Sequence, residues 1–156
     1  MIAAGDRLPD TPLPDVGGQT HALAKAWSQG PAVVVVGHRN CKTTRQTLPY
    51  VDRLYRRRGP DHGVVVVLQD DPDTARQVIS EQSLQVPTLL DLDPYRLGAT
   101  LGLQTVPTLM LVGRDGVVQQ VSEGFSRADL ETFARGLAVK GPLFSADDDS
   151  PAYRPG

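Results

Sequence analysis

The chain has 156 residues, 40% of them apolar, and its 16 Lys and Arg against 18 Asp and Glu leave a formal charge of −2. That size and content suit one domain with an ordinary core, and the lack of any basic run beyond Arg56-Arg57-Arg58 argues against a nucleic-acid partner. The longest apolar runs, Ala32–Val36 and Val64–Leu68, fall far short of the roughly 20 residues that span a bilayer. Met1-Ile2-Ala3-Ala4-Gly5-Asp6 lacks the cationic and apolar regions of a signal peptide, so the expected location is the cytoplasm. Cys41 is the single cysteine, which excludes an internal disulfide and a multi-cysteine zinc site. His21 and His62 stand in separate turns without ligand spacing, and neither metal nor cofactor is expected.

Residues 1–31 are rich in turn residues and read as short extended pieces, with Trp27 anchoring them to the core. Pro31 opens Ala32–Val36, a β-branched run suited to a strand covered on both faces. Residues 37–40 form a loop, and a helix starts at Cys41. In it Leu48, Val51, Leu54 and Tyr55 share one face, while Arg53 and Arg56–Arg58 lie mostly on the wet side. Pro49 sits inside that helix. Val64–Leu68 reads as a second buried strand, and Asp71-Pro72-Asp73 starts a helix over residues 74–82. Val86–Leu90 is a short strand, and Asp93-Pro94 precedes a helix over 95–101 that Gly102 ends. Pro107–Val112 and Val117–Val121 flank the turn Arg114-Asp115-Gly116 as a hairpin. Ser126 caps a last amphipathic helix carrying Leu130, Phe133, Ala134 and Leu137. This order implies an α/β fold with a mixed sheet flanked by helices over residues 1–140. The stretch 141–156, with three prolines and Asp147-Asp148-Asp149, has no periodicity and reads as a flexible tail.

Cys41 carries the candidate chemistry. It follows a buried strand by one short loop and begins a helix, where unpaired N–H groups and the helix dipole favour a thiolate. Lys42, Arg39, Arg45 and His38 add positive charge nearby. Thr44 falls one turn on, so its hydroxyl is expected to donate to the sulfur. Val106-Pro107 opens an apolar strand, and Val86-Pro87-Thr88 nearly copies Val106-Pro107-Thr108, so only position separates the two.

The whole pattern resembles thioredoxin-like proteins, in particular the TlpA/ResA branch and its peroxiredoxin relatives. Gly5-Asp6-Arg7-Leu8-Pro9-Asp10 is similar to that branch's opening, and Cys41-Lys42-Thr43-Thr44-Arg45 with Leu48-Pro49 resembles C-x-x-C-R and the later Leu-Pro. Thr105–Thr108 and Gly113–Gly116 resemble the cis-proline strand and hairpin, and Val64–Leu101 the extra strand and helix of the branch. The resemblance implies a thioredoxin-like fold with an N-terminal extension, a cis bond before Pro107, and a reactive Cys41. It also implies substrate contacts from Val106, Pro107, Asn40 and Lys42.

The departures are equally informative. Thr44 stands at the position of the resolving cysteine, so an intramolecular dithiol cycle is closed to this chain. Asn40 and Lys42 replace the usual Trp and Pro, and His38 stands at the peroxiredoxin threonine position. Three functions follow: a monothiol thiol-disulfide oxidoreductase resolved by an external thiol, a one-cysteine thiol peroxidase, or a non-catalytic binding module. The first two take a protein disulfide, a small thiol or a peroxide as partner.

Overall fold

The computed structural model describes residues 1–156. In chain order the elements are β1 (Pro12–Pro14), β2 (Thr20–Ala22), a 3-10 helix (Leu23–Trp27), β3 (Ala32–Gly37), α1 (Lys42–Arg57), β4 (Gly63–Leu68) and α2 (Pro72–Glu81). They continue with β5 (Thr88–Leu90), α3 (Arg96–Leu101), β6 (Thr108–Val112), β7 (Val118–Glu123), β8 (Phe125–Ser126), α4 (Arg127–Gly136) and β9 (Tyr153–Arg154). Five strands form one mixed sheet in the order β5-β4-β3-β6-β7. β3, β4 and β5 run parallel, whereas β6 is antiparallel to β3 and β7 to β6.

The two valine runs take the centre because both of their faces are covered. Alternation along β3 sends Val33 and Val35 to one side and Ala32, Val34 and Val36 to the other. On the first side they meet Leu48, Val51 and Leu54 of α1, Val78 of α2, and Leu130 and Phe133 of α4. On the second they meet Leu8, Leu23, Trp27 and, from α3, Leu97 and Leu101. All five β3 residues from Ala32 to Val36 are completely buried, and each valine contributes about 1.5–3 kcal/mol relative to exposure.

Local chemistry sets the ends of the elements. Pro49 has no N–H to give the Arg45 carbonyl one turn back, and Gln82 Nε2 donates to that carbonyl instead, at 3.1 Å. Asp71 caps α2 by accepting from Thr74 N at 2.7 Å, with Pro72 in the first turn. β5 starts at Thr88 rather than Val86 because buried Asp52 takes the N–H groups of Gln85 and Val86, at 2.7 and 2.8 Å. α3 starts at Arg96 because Tyr95 adopts the left-handed conformation, with φ 59°.

The segment from Gly141 departs from its expected flexibility. Leu143 is buried, and the Phe144 ring packs 4.8 Å from Tyr50 and 6.3 Å from Phe125. Arg53, read as solvent-facing, forms a two-pronged pair with Asp148 at 2.8 and 3.2 Å. β9 then pairs antiparallel with β8. The Arg53 guanidinium holds the Asp148 carboxyl down from 3.8 to about 2. A carboxylate depressed in the folded state stabilises above its ordinary value and stops doing so as pH falls through the depressed one. The anchor therefore holds at neutral pH and is released only between about 4 and 2. No helix is long and apolar enough to cross a membrane.

Candidate functional site

Cys41 is the N-cap residue of α1, reached from buried β3 through the loop 38–40. An N-cap accepts from the first-turn N–H groups that lack helical partners, and here sulfur does so. Cys41 Sγ accepts from Thr44 N at 3.4 Å, and its S–H reaches the Val106 carbonyl at 3.3 Å. The Val106–Pro107 bond is cis, as is Asp93–Pro94, whereas Val86–Pro87 is trans. The sheet explains the meeting: β6 lies antiparallel beside β3, pairing Thr108 with Val36. That register brings the start of one strand to the end of the other. Cys41 is half-buried.

Thr44 touches the sulfur differently from what its spacing suggests. Its backbone N–H makes the contact, whereas Oγ1 is buried without any hydrogen-bond partner. Gly37 explains the orientation: a Cβ there would lie 2.6 Å from Thr44 Cγ2 and 2.9 Å from Oγ1, so the threonine fills the space a side chain would take. An unpaired buried hydroxyl is a cost, and a methyl of the same shape removes it. Thr44→Val is expected to leave Cys41 alkylation within about twofold and to raise stability by about 1 kcal/mol in urea unfolding. A tenfold fall in alkylation would return the hydroxyl to the sulfur.

Two of the four cations expected around the thiol, Arg39 and Arg45, have other partners. The Arg45 guanidinium donates to the Arg39 carbonyl, and the Arg39 side chain lies 3.9 Å from Glu81. Arg39 N donates to Asp70 Oδ2 at 3.0 Å. Burial pushes the Asp70 carboxyl up, against the Arg39 N–H and the nearby His38, which draw it down. Asn40 and Lys42 are exposed on either side of Cys41. His38 joins Tyr95, Gln104, Thr105 and Val106 around a cleft of about 380 Å³ that opens beside the sulfur's carbonyl partner.

A cavity of about 550 Å³ lies away from the thiol and contains none of the expected site residues. It is lined by Asp15, His21, Tyr55, Arg58 and His62, toward the N-terminal end of β4. His21 there bonds Asp15 at 2.8 Å and holds that carboxyl below its usual range. No group of three or more His, Cys, Asp or Glu converges as a metal site would require.

One feature beside the sulfur gave no sequence signal. Thr43 Oγ1 donates to the Pro155 carbonyl at 2.6 Å, and Gly156 lies against the Val106 carbonyl. The segment read as a flexible tail thus forms part of the wall around Cys41.

Solved structures share this architecture. The thioredoxin domain of a thiol-disulfide oxidoreductase from Bacteroides vulgatus superposes with a TM-score of 0.74 at 17% identity, over 86% of this chain and 97% of that one. Peroxidoxin BcpB from Mycobacterium tuberculosis gives 0.72 at 18% identity, over 86% and 94%. A secreted M. tuberculosis disulfide oxidoreductase homologous to E. coli DsbE gives 0.70 at 17%, over 82% and 96%. At these identities the likeness shows a thioredoxin-like fold. No curated protein sequence is significantly similar to the chain. The Redoxin family model, however, matches residues 3–137, nearly the whole span that holds the sheet, the thiol and the Pro107 loop, and the chain belongs to the Redoxin family.

Proposed function

We propose that the protein is a monothiol thiol-disulfide oxidoreductase with Cys41 as its nucleophile. The observation that carries this reading is the position of Sγ: at the first turn of α1, accepting the Thr44 N–H and facing the carbonyl before Pro107. The redox names of the structural neighbours support it. In the first step the Cys41 thiolate attacks one sulfur of a disulfide, a mixed disulfide forms, and the other sulfur leaves as thiolate. With Thr44 beside it there is no internal thiol, so an external thiolate attacks the partner sulfur of the mixed disulfide, Cys41 leaves as thiolate, and the partner departs as a new disulfide, which ends the cycle. Asn40 and Lys42 flank the incoming substrate, and the Val106 main chain orients it beside Pro107. The reading needs a compartment that supplies free thiol, as the cytoplasm does.

The test is alkylation by iodoacetamide at pH about 6. Cys41 is expected to react about tenfold faster than glutathione, and the advantage is expected to vanish in urea, because it belongs to the folded helix start. A folded protein that reacts no faster than glutathione contradicts the proposal.

A further inference from the structure

The extended segment after Pro151 lies across the site and is held there by main-chain contacts. β9 adds a strand to β8, pairing Arg154 with Phe125 and Tyr153 with Ser126, and Arg127 N donates to the Ala152 carbonyl at 3.0 Å. Thr43, in the first turn after the thiol, is buried and donates through Oγ1 to the Pro155 carbonyl. One turn further on, Gln46 accepts from the Arg154 guanidinium at 3.2 Å. Gly124 lets the strand approach closely: a Cβ there would fall 2.5 Å from the Arg154 carbonyl. At Gly156 a Cβ would fall 2.1 Å from the Val106 carbonyl, the oxygen that also faces the Cys41 sulfur.

Main-chain pairing of this kind is how proteins hold an extended peptide with little regard to its sequence. Here only Arg154 is read through its side chain. Tyr153 is 58% exposed, so the tip contributes little apolar burial. The firm attachment lies upstream, at Phe144 and at the Arg53–Asp148 pair. A tip bound weakly on a firmly tethered strap owes its occupancy to high local concentration and yields to a competing strand.

We propose that the groove formed by Thr43, Gln46, Gly124 and Val106 is a binding site for an extended polypeptide, and that residues 152–156 occupy it as a competing strap. The partner is a polypeptide strand carrying its disulfide near the place of Gly156, its backbone set back from the Val106 carbonyl to make room for the Cβ that Gly156 lacks; this part rests on the thiol-exchange reading. Small disulfides reach the half-buried sulfur with the strap in place, whereas a polypeptide displaces it.

Two experiments on the full chain decide the matter. Gly156→Cys, with Pro155→Cys as a second variant, is treated with diamide and read by intact mass. An internal disulfide to Cys41 is expected at a rate independent of protein concentration. Adding Asp148→Ala and Arg154→Ala is expected to slow its formation about tenfold. Only intermolecular disulfides, or rates unchanged by the added substitutions, overturn the strap.

The second probe is a peptide of residues 150–156 with cysteine in place of Gly156, blocked as a mixed disulfide with thionitrobenzoate. The Cys41 thiolate attacks the peptide sulfur, the bond to thionitrobenzoate breaks, and the coloured thiolate leaves with the electron pair. Asp148→Ala/Arg154→Ala is expected to release it about tenfold faster than the unaltered chain. Equal, measurable rates overturn the competition. No release from either chain contradicts the thiol-exchange reading, and with it the disulfide-bearing partner, while the crosslink still decides the strap.

Discussion

Thr44→Cys is expected to give the site the second thiol it lacks and to shorten the life of any Cys41 mixed disulfide by about 10²-fold or more. The backbone N of residue 44 already lies 3.4 Å from Cys41 Sγ, and residues three apart on a helix share a face. The side chain points under Gly37 in the wild type, so the new sulfur needs a turn about χ1 to reach Cys41. Once there, its thiolate attacks the Cys41 sulfur of a mixed disulfide, the internal bond forms, and the small thiol leaves. An attack from within one turn has a far higher effective concentration than a millimolar external thiol. Intact mass is expected to show a loss of two hydrogens after glutathione disulfide, with no lasting adduct. A persistent adduct with wild-type lifetime would mean that residue 44 does not face the reactive sulfur.

Phe125→Ala is expected to be the most damaging of the core truncations. Phe125 is completely buried, 5.5 Å from Tyr50 and edge-on to Phe144, between α1, α4 and the C-terminal segment. Losing a buried phenyl ring costs about 3–5 kcal/mol, transfer and cavity together. That is a large part of the ~5–15 kcal/mol that stabilises a typical domain, and corresponds to a fall of roughly 10 °C in Tm. Phe144→Ala removes a half-buried ring and is expected to cost less. Urea unfolding followed by the fluorescence of Trp27, itself buried, measures both. A cost below about 1 kcal/mol for Phe125→Ala contradicts the packing described.

Much of this was legible in the residues because burial writes a pattern. The two valine runs announce strands covered on both faces, and Cys41 after the first of them announces a helix-start thiol. The orientation of Thr44 was not legible. Spacing places a side chain on a face, but the empty position over Gly37, 37 being seven residues upstream, decided which way it turned. Arg39 and Arg45 were correctly near the loop in sequence, yet Glu81 and a backbone carbonyl claim them. The C-terminal segment misled because it has no periodicity. It is fixed by Leu143, Phe144 and one ion pair to Arg53, a residue whose helix position looks wet. The adjacent apolar pair Leu143-Phe144 was the one signal available.

The central claim, that Cys41 is an exchange nucleophile, is tested most directly by intact mass of the native protein after incubation with glutathione disulfide. The account predicts one glutathionyl group on the folded chain, removed by added thiol and absent from Cys41→Ser. No adduct on the folded chain, with full modification once it is unfolded, would contradict it, and an oxygen adduct formed only with peroxide would assign the thiol to peroxide reduction instead.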